Sequence, residues 1–233
     1  MNCEGWPRER TLTYEYERDT RQAYRNAHKA RVYKNYQSQE LNWGRVTSWR
    51  ERVIVRKALD GCGLSPHAKI LDIPCGTGIL GCILQQFPNP VVAADISLEM
   101  MDLAREEYSF SHFLGFVQSD INQTPFRPGD FACIVTLGLM HRLPSTIREK
   151  VLTGIASLKP RHVILSYSLD SRWQRLKQRL IKKFKPSHSS APVPAPLKDI
   201  VREVNASGFK VIRTYHNVPL LSADIILALE RQA

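Results

Sequence analysis

The sequence predicts an α/β fold with a mostly parallel sheet and helices on both faces. Three observations carry that prediction. Seven short apolar runs of strand type are spread along the chain, at 69–73, 91–95, 113–120, 131–137, 162–168, 209–218 and 224–231. Segments with helical spacing of apolar residues separate most of them, which is the pattern of βαβ units. The last two runs are joined by too few residues for a crossover, so they should pair antiparallel.

The elements follow in order. Residues 1–44 are polar and aromatic, with Tyr14, Tyr16, Tyr24, Tyr33, Tyr36 and Trp43 among many charges. They read as a helical cap, and a unit 1–64 is set apart on that basis from a main domain 65–233. Trp49, Val53, Ile54 and Leu59 place an amphipathic helix over about 47–58, stopped by Gly61 and Gly63. KILDI at 69–73 is a buried strand, followed by a Gly-rich turn and a helix over 78–87. VVAAD at 91–95 leads into a helix over 97–108 that Ser97 caps. The third and fourth strands precede a helix over 145–158, and the fifth strand precedes an insertion at 170–196. A helix over 197–208, ended by Gly208, leads into the final strand pair.

Composition narrows the class. A chain of 233 residues with 43% hydrophobic and 24% charged residues makes one well-buried domain with room for a cap. No apolar run reaches the roughly 18–20 residues a membrane span requires, and the first twenty residues lack the apolar segment of a secretory signal. The five cysteines form no C-x-x-C pair, which points to a reducing cytoplasm and away from zinc or a disulfide framework. The net charge of +11 is uneven: 69–144 is acidic, and the basic excess flanks it. This is compatible with an anionic substrate or surface. Within the insertion, residues 172–185 form a basic amphipathic helix with Trp173, Leu176, Leu180, Ile181 and Phe184 on one face. It reads as an ordinary surface helix or as one meeting a membrane. The Pro/Ser-rich stretch after it is a connector.

The residues most informative about function lie at 70–80. Ile70-Leu71-Asp72-Ile73-Pro74-Cys75-Gly76-Thr77-Gly78 ends a strand and opens a helix, and glycines there let the backbone pass close to a ligand. The segment resembles the first motif of the class I methyltransferases, an acidic residue followed by G-x-G-x-G, with Pro74 in place of the first glycine. The same stretch also reads as the dinucleotide fingerprint G-x-G-x-x-G over Gly76–Gly81, with Asp95 near the ribose distance. Asp72 opposes that rival, since a carboxylate there would repel a pyrophosphate. A third acid, Asp120, closes the third strand.

The resemblance is to the small-molecule, type 11-like members of that family and is strongest over 65–165. It implies a Rossmann-like three-layer sandwich with a seven-stranded, mostly parallel sheet and a C-terminal antiparallel strand. It also implies S-adenosylmethionine as cofactor and S-adenosylhomocysteine as product. A sulfonium, an ammonium and a ribose diol, with no phosphate, suit carboxylates. Asp72 is then expected to anchor the methionine end and Asp95 to accept from the ribose hydroxyls. Asp120 is expected to accept from the adenine amino group, with Ile121 and Met100 covering the ring. Pro74, Gly76, Gly78, Ile96 and Leu137 complete the expected cofactor wall. The fourth strand and its exit, Phe131 to Pro144, resemble the family's F-D-x-V and H-H-[LI]-P, with Ala132 and Arg142 as departures. His141 is the candidate general base, although methyl transfer can proceed by positioning alone.

The resemblance implies a small-molecule acceptor methylated at oxygen or nitrogen. A lipid head group or lipopolysaccharide sugar reached through 172–185 is the alternative within the class. A non-catalytic cofactor-binding protein and an NAD(P)-dependent oxidoreductase are the alternatives outside it. Nucleic acid is disfavoured as acceptor, because LGLMHRLP at 137–144 has no D/N-P-P-aromatic run and the one Pro-Cys pair sits in the cofactor turn.

Overall fold

The computed structural model describes residues 43–170, 193–218 and 222–232. Of the cap predicted over 1–64, residues 1–42 lie outside the described residues, as does the basic helix 172–185. Helix α1 spans Trp43–Gly61. It is followed by β1 (Ile70–Asp72), α2 (Gly81–Leu84), β2 (Val91–Asp95), α3 (Leu98–Ala104), β3 (Phe113–Gln118) and β4 (Cys133–Thr136). Then come α4 (Ser145–Ser157), β5 (His162–Ser168), α5 (Leu197–Ala206), β6 (Phe209–His216) and β7 (Asp224–Arg231).

The seven strands form one sheet in the order β3-β2-β1-β4-β5-β7-β6. Strands β1 to β5 are parallel, and β7 runs antiparallel between β5 and β6. The chain moves outward from β1 through β2 to β3, then returns to place β4 on the other side of β1. That reversal opens a crevice at the carboxyl ends of β1 and β4, where open α/β sheets bind ligands.

Two apolar layers sandwich the sheet. Leu71, Ile134, Val163, Leu165 and Leu227 face α4 and α5, with Ile147, Val151, Ile155, Ile200 and Val204 packed on them. Ile70, Val91, Ala93, Val135 and Ile164 face α1, α2 and α3 through Val55, Leu59, Leu84 and Met101. Strand β5 is buried at every position, so its apolar residues run unbroken over Val163, Ile164 and Leu165 instead of alternating.

The elements differ from the sequence prediction mainly at their ends. Helix α1 is longer than 47–58. Helix α2 is a single turn, because glycines occupy its start and Pro88 follows closely. The predicted helix 97–108 is α-helical to Ala104 and then tightens into a 3-10 turn, Arg105–Tyr108, which carries the Tyr108 side chain inward.

One polar contact ties the α4/α5 layer together. Arg148 on α4 makes a bidentate pair with Glu203 on α5, Nη2 to Oε1 at 2.6 Å and Nε to Oε2 at 2.9 Å. Its Nη1 donates to the Leu143 carbonyl at 2.8 Å, and the guanidinium lies over the Tyr167 ring at 6.0 Å. Both partners are nearly sealed from water, so the pair holds the layer only while both charges are present.

Candidate active site

A cleft opens at the crevice predicted by the strand order. Its walls come from the turn after β1 (Ile73 to Thr77, and Ile79), the exit of β2 (Asp95, Ile96, Met100) and the exit of β3 (Ser119 to Asn122). The exit of β4 (Leu137 to Leu139, Arg142, Leu143), Ile147 and Val151 of α4, and Glu51 of α1 complete it.

The turn after β1 is held from the neighbouring strand. Asp95 Oδ2 accepts from the Gly76 N–H at 2.8 Å, and Oδ1 accepts from the Ser97 N–H at 2.9 Å. The Cys75 N–H donates to the Ala94 carbonyl at 2.8 Å. One carboxylate thus clamps the glycine turn to the start of α3 and keeps its remaining lone pairs beside the cleft. Burial pushes the Asp95 carboxyl up, and the Ser97 and Gly76 N–H groups counteract it. Ser97 caps α3, its hydroxyl accepting from the Met100 N–H at 3.2 Å.

The glycines divide their work. Gly76 has φ +53° and no atom near the place a Cβ would occupy, so it presents bare backbone to the cleft. Gly78 lies off the cleft: a Cβ there would come within 2.9 Å of the Glu107 Cβ. At Gly81 a Cβ would sit 2.2 Å from the Glu107 carbonyl oxygen. Gly78 and Gly81 let α2 pack on the 3-10 turn, and only Gly76 of the three lines the cleft.

At the exit of β3, Asp120 Oδ1 accepts from the Asn122 N–H at 3.0 Å, which folds the loop back and sets Ile121 against the cleft. Gly154 on α4 makes room for that loop, since a Cβ there would meet the Ile121 carbonyl oxygen at 2.5 Å. A glycine inside a helix costs about 0.5–1 kcal/mol relative to alanine, and this close approach is its reason.

Eight of the eleven predicted site residues line the cleft: Pro74, Gly76, Asp95, Ile96, Met100, Asp120, Ile121 and Leu137. Asp72, Gly78 and His141 do not. Asp72 lies beneath the turn, fully buried, and accepts a short hydrogen bond from the Tyr108 hydroxyl. Burial and the nearby Asp95 push its carboxyl up to about 7, against the pull of that hydroxyl. Tyr108 itself packs among Phe110, Phe113 and Phe116. His141 occupies the 3-10 turn after β4, with Arg142 beside it on the cleft wall. Burial and the Arg142 charge hold the imidazole down to about 4, so it is neutral at pH 7.

Glu51 and Arg142 are the charged cleft residues that sequence reasoning did not assign. Glu51 has no local signature, because only the packing of α1 brings it to the site. Arg142 stands where the resembling motif has its second histidine, so the motif assigns it no role.

The sheet decides between the two readings of the glycine motif. A dinucleotide fold in the order 3-2-1-4-5-6 is parallel throughout, whereas here an antiparallel β7 is inserted between β5 and β6. Residues 70–160 match the family model described as a methyltransferase domain. Residues 70–160 carry a methyltransferase domain. Its solved structural neighbours agree in fold. Magnesium protoporphyrin IX methyltransferase from Synechocystis PCC 6803, with bound SAH, aligns at a TM-score of 0.78 and 20% identity, over 93% of this chain and 100% of that one. Human N-acetylserotonin methyltransferase in complex with SAM aligns at 0.64 and 13%, over 91% and 58%. Geranyl diphosphate C-methyltransferase from Streptomyces coelicolor aligns at 0.57 and 10%, over 77% and 75%. No curated protein matches by sequence.

S-adenosylmethionine is the cofactor of this domain class, and the methyltransferase cleft fits it. Carboxylates stand at the exits of β2 and β3, bare backbone at Gly76 and apolar side chains at Ile96, Met100 and Ile121. No basic side chain lies in the turn to receive a phosphate. Asp95 would take the ribose, Asp120 and Ile121 the adenine, and the backbone around Gly76 and Leu137 the methionine end.

Proposed function

We propose that this methyltransferase acts on an oxygen or nitrogen of a small-molecule acceptor. The observation that carries the reading is the wall of the cleft opposite the cofactor motifs. There Leu139 and Leu143 follow β4 beside Arg142, an apolar surface with one cation. A compact acceptor with an apolar body and a polar or anionic group matches that chemistry. The named neighbours act on a porphyrin, on N-acetylserotonin and on geranyl diphosphate, which supports the small-molecule class.

The cofactor supplies a methyl group already activated on a positively charged sulfur. The chain's part is then to align and desolvate. Asp95 fixes the turn, Ile73 and Leu137 keep water from the sheet edge, and Arg142 orients the acceptor. His141, neutral and set behind the wall, supports the turn that presents Arg142. Cysteine usage supports a cytoplasmic reaction. Among the described residues no helix is long and apolar enough to cross a membrane. Peripheral membrane contact through 172–185 remains a separate proposal, tested by liposome co-sedimentation of the wild type against a Lys182/Lys183/Lys185→Glu variant.

Titration calorimetry with S-adenosylhomocysteine, and with NAD(H) and NADP(H) in parallel, tests the cofactor. Saturable binding of S-adenosylhomocysteine alone is expected; binding of a nicotinamide cofactor alone would overturn the assignment. Acceptor screening with labelled methyl donor then tests the substrate class. Transfer to nucleic acid in preference to small molecules would overturn it.

A further inference from the structure

Helix α1 lays one stripe along the sheet, formed by Glu51, Val55 and Ala58 and continued just past its end by Cys62. The last three are buried in the core, and Glu51 is the charged member. The two ends of the stripe are placed by their contacts. Cys62 lies in the same buried cluster as Cys133, at the entry of β4, and the two thiols interact. From Cys62 to Glu51 the helix climbs about 16 Å at 1.5 Å per residue. Strand β4 covers about the same distance, at roughly 3.3 Å per residue, between Cys133 and Gly138. Glu51 therefore meets the cleft at the level where β4 ends. Because Asp72 pairs with Val135, the turn Cys75–Thr77 leaves β1 at that level too.

The end of the helix is anchored there. The Asn217 side-chain amide donates to the Thr47 carbonyl at 3.1 Å, and Arg50 Nε donates to the Asn217 carbonyl. These bonds fix α1 to the β6–β7 connection one turn before Glu51. Asp224, the first residue of β7, lies close enough to act on Glu51 through its charge, and Arg52 acts in the opposite sense. Burial and Asp224 together push the Glu51 carboxyl up to about 7. The position thus disfavours a second anion and favours a cation between the glycine turn and the β4 exit.

We propose that Glu51 is the carboxylate that binds the ammonium group at the amino-acid end of the cofactor. The inference rests on the reading of the cleft as the S-adenosylmethionine site. It adds to the strand-end acids a ligand supplied by the helix that precedes the sheet. Such a contact makes cofactor binding depend on α1 being docked. The chain segment before the sheet thereby becomes part of the binding site, not only its cover.

The test compares S-adenosylhomocysteine with its deaminated analogue, which keeps the carboxylate and lacks the ammonium, by calorimetry on the full chain and on Glu51→Gln. The wild type should prefer S-adenosylhomocysteine at least about tenfold, the effect of a hydrogen bond to a charged group. Glu51→Gln should erase most of that preference and leave binding of the analogue unchanged, which also reports an intact nucleoside end. Equal binding of the two ligands by the wild type would overturn the proposal without any variant. Survival of the preference in Glu51→Gln would overturn it as well. A wild type that binds neither ligand would instead overturn the cofactor reading on which the proposal rests.

Discussion

The two sides of the cleft are built differently. On the β2–β3 side the polar side chains are pre-set by partners close in sequence or on the adjacent strand exit. Asp95 holds Gly76 and Ser97, Ser97 holds Met100, and Asp120 holds Asn122. On the side facing α1 and β4, the charged groups come from segments far apart in the chain: Glu51, Arg142 and the neighbouring Asp224. The first side is a rigid receptor for a constant ligand. The second is assembled by packing, and a change in α1 or in the β4 exit alters it without touching the cofactor motifs.

That contrast can be broken from the core. Arg148→Met should cost about 3–5 kcal/mol in urea unfolding, because Glu203 is left buried and unpaired. The double replacement Arg148→Met/Glu203→Leu should recover most of it. The loss of the bond to the Leu143 carbonyl should disturb the β4 side and leave the β2–β3 side intact. Little change in stability on Arg148→Met would show that water reaches the pair.

The locally built side is sharpened by Asp95→Ala, which should weaken S-adenosylhomocysteine binding by roughly 1.5–3 kcal/mol, the range for hydrogen bonds involving a charged group. Unchanged affinity by calorimetry would remove Asp95 from the site.

A smaller effect is a slope with pH. The Asp72 carboxyl is raised from 3.8 to about 7 in the folded chain. The folded state therefore holds a proton that the unfolded state has released across that interval, and stability falls as pH rises from about 4 to about 7. Asp72→Asn should remove this contribution. The melting temperature of the wild type relative to the variant should then be lower at pH 8 than at pH 5, at roughly 2–4 °C per kcal/mol for a chain of this size. A constant difference across that range would mean that Asp72 is ionised throughout.

The smallest effect is expected at His141. His141→Ala should leave S-adenosylhomocysteine affinity unchanged and, with an acceptor in hand, lower turnover only a few-fold. Loss of turnover by two orders of magnitude would restore His141 as general base, the size such a group commonly contributes.

The amino-acid sequence by itself determined the strand–helix alternation, the antiparallel closing pair and the acid–glycine–acid series of the cofactor side. These depend on local chemistry: apolar period, turn residues, and side chains that bond backbone a few residues away or at the next strand exit. Tertiary structure alone decided the rest. It set Gly78 and Gly81 against Glu107 rather than a ligand, buried Asp72 on Tyr108, and made room at Gly154 for the Ile121 loop. It also turned Arg142 rather than His141 toward the cleft and carried Glu51 to it along α1. Each of these is a contact between segments distant in the chain. No periodicity or motif encodes such contacts, because they depend on which faces the folded layers press together.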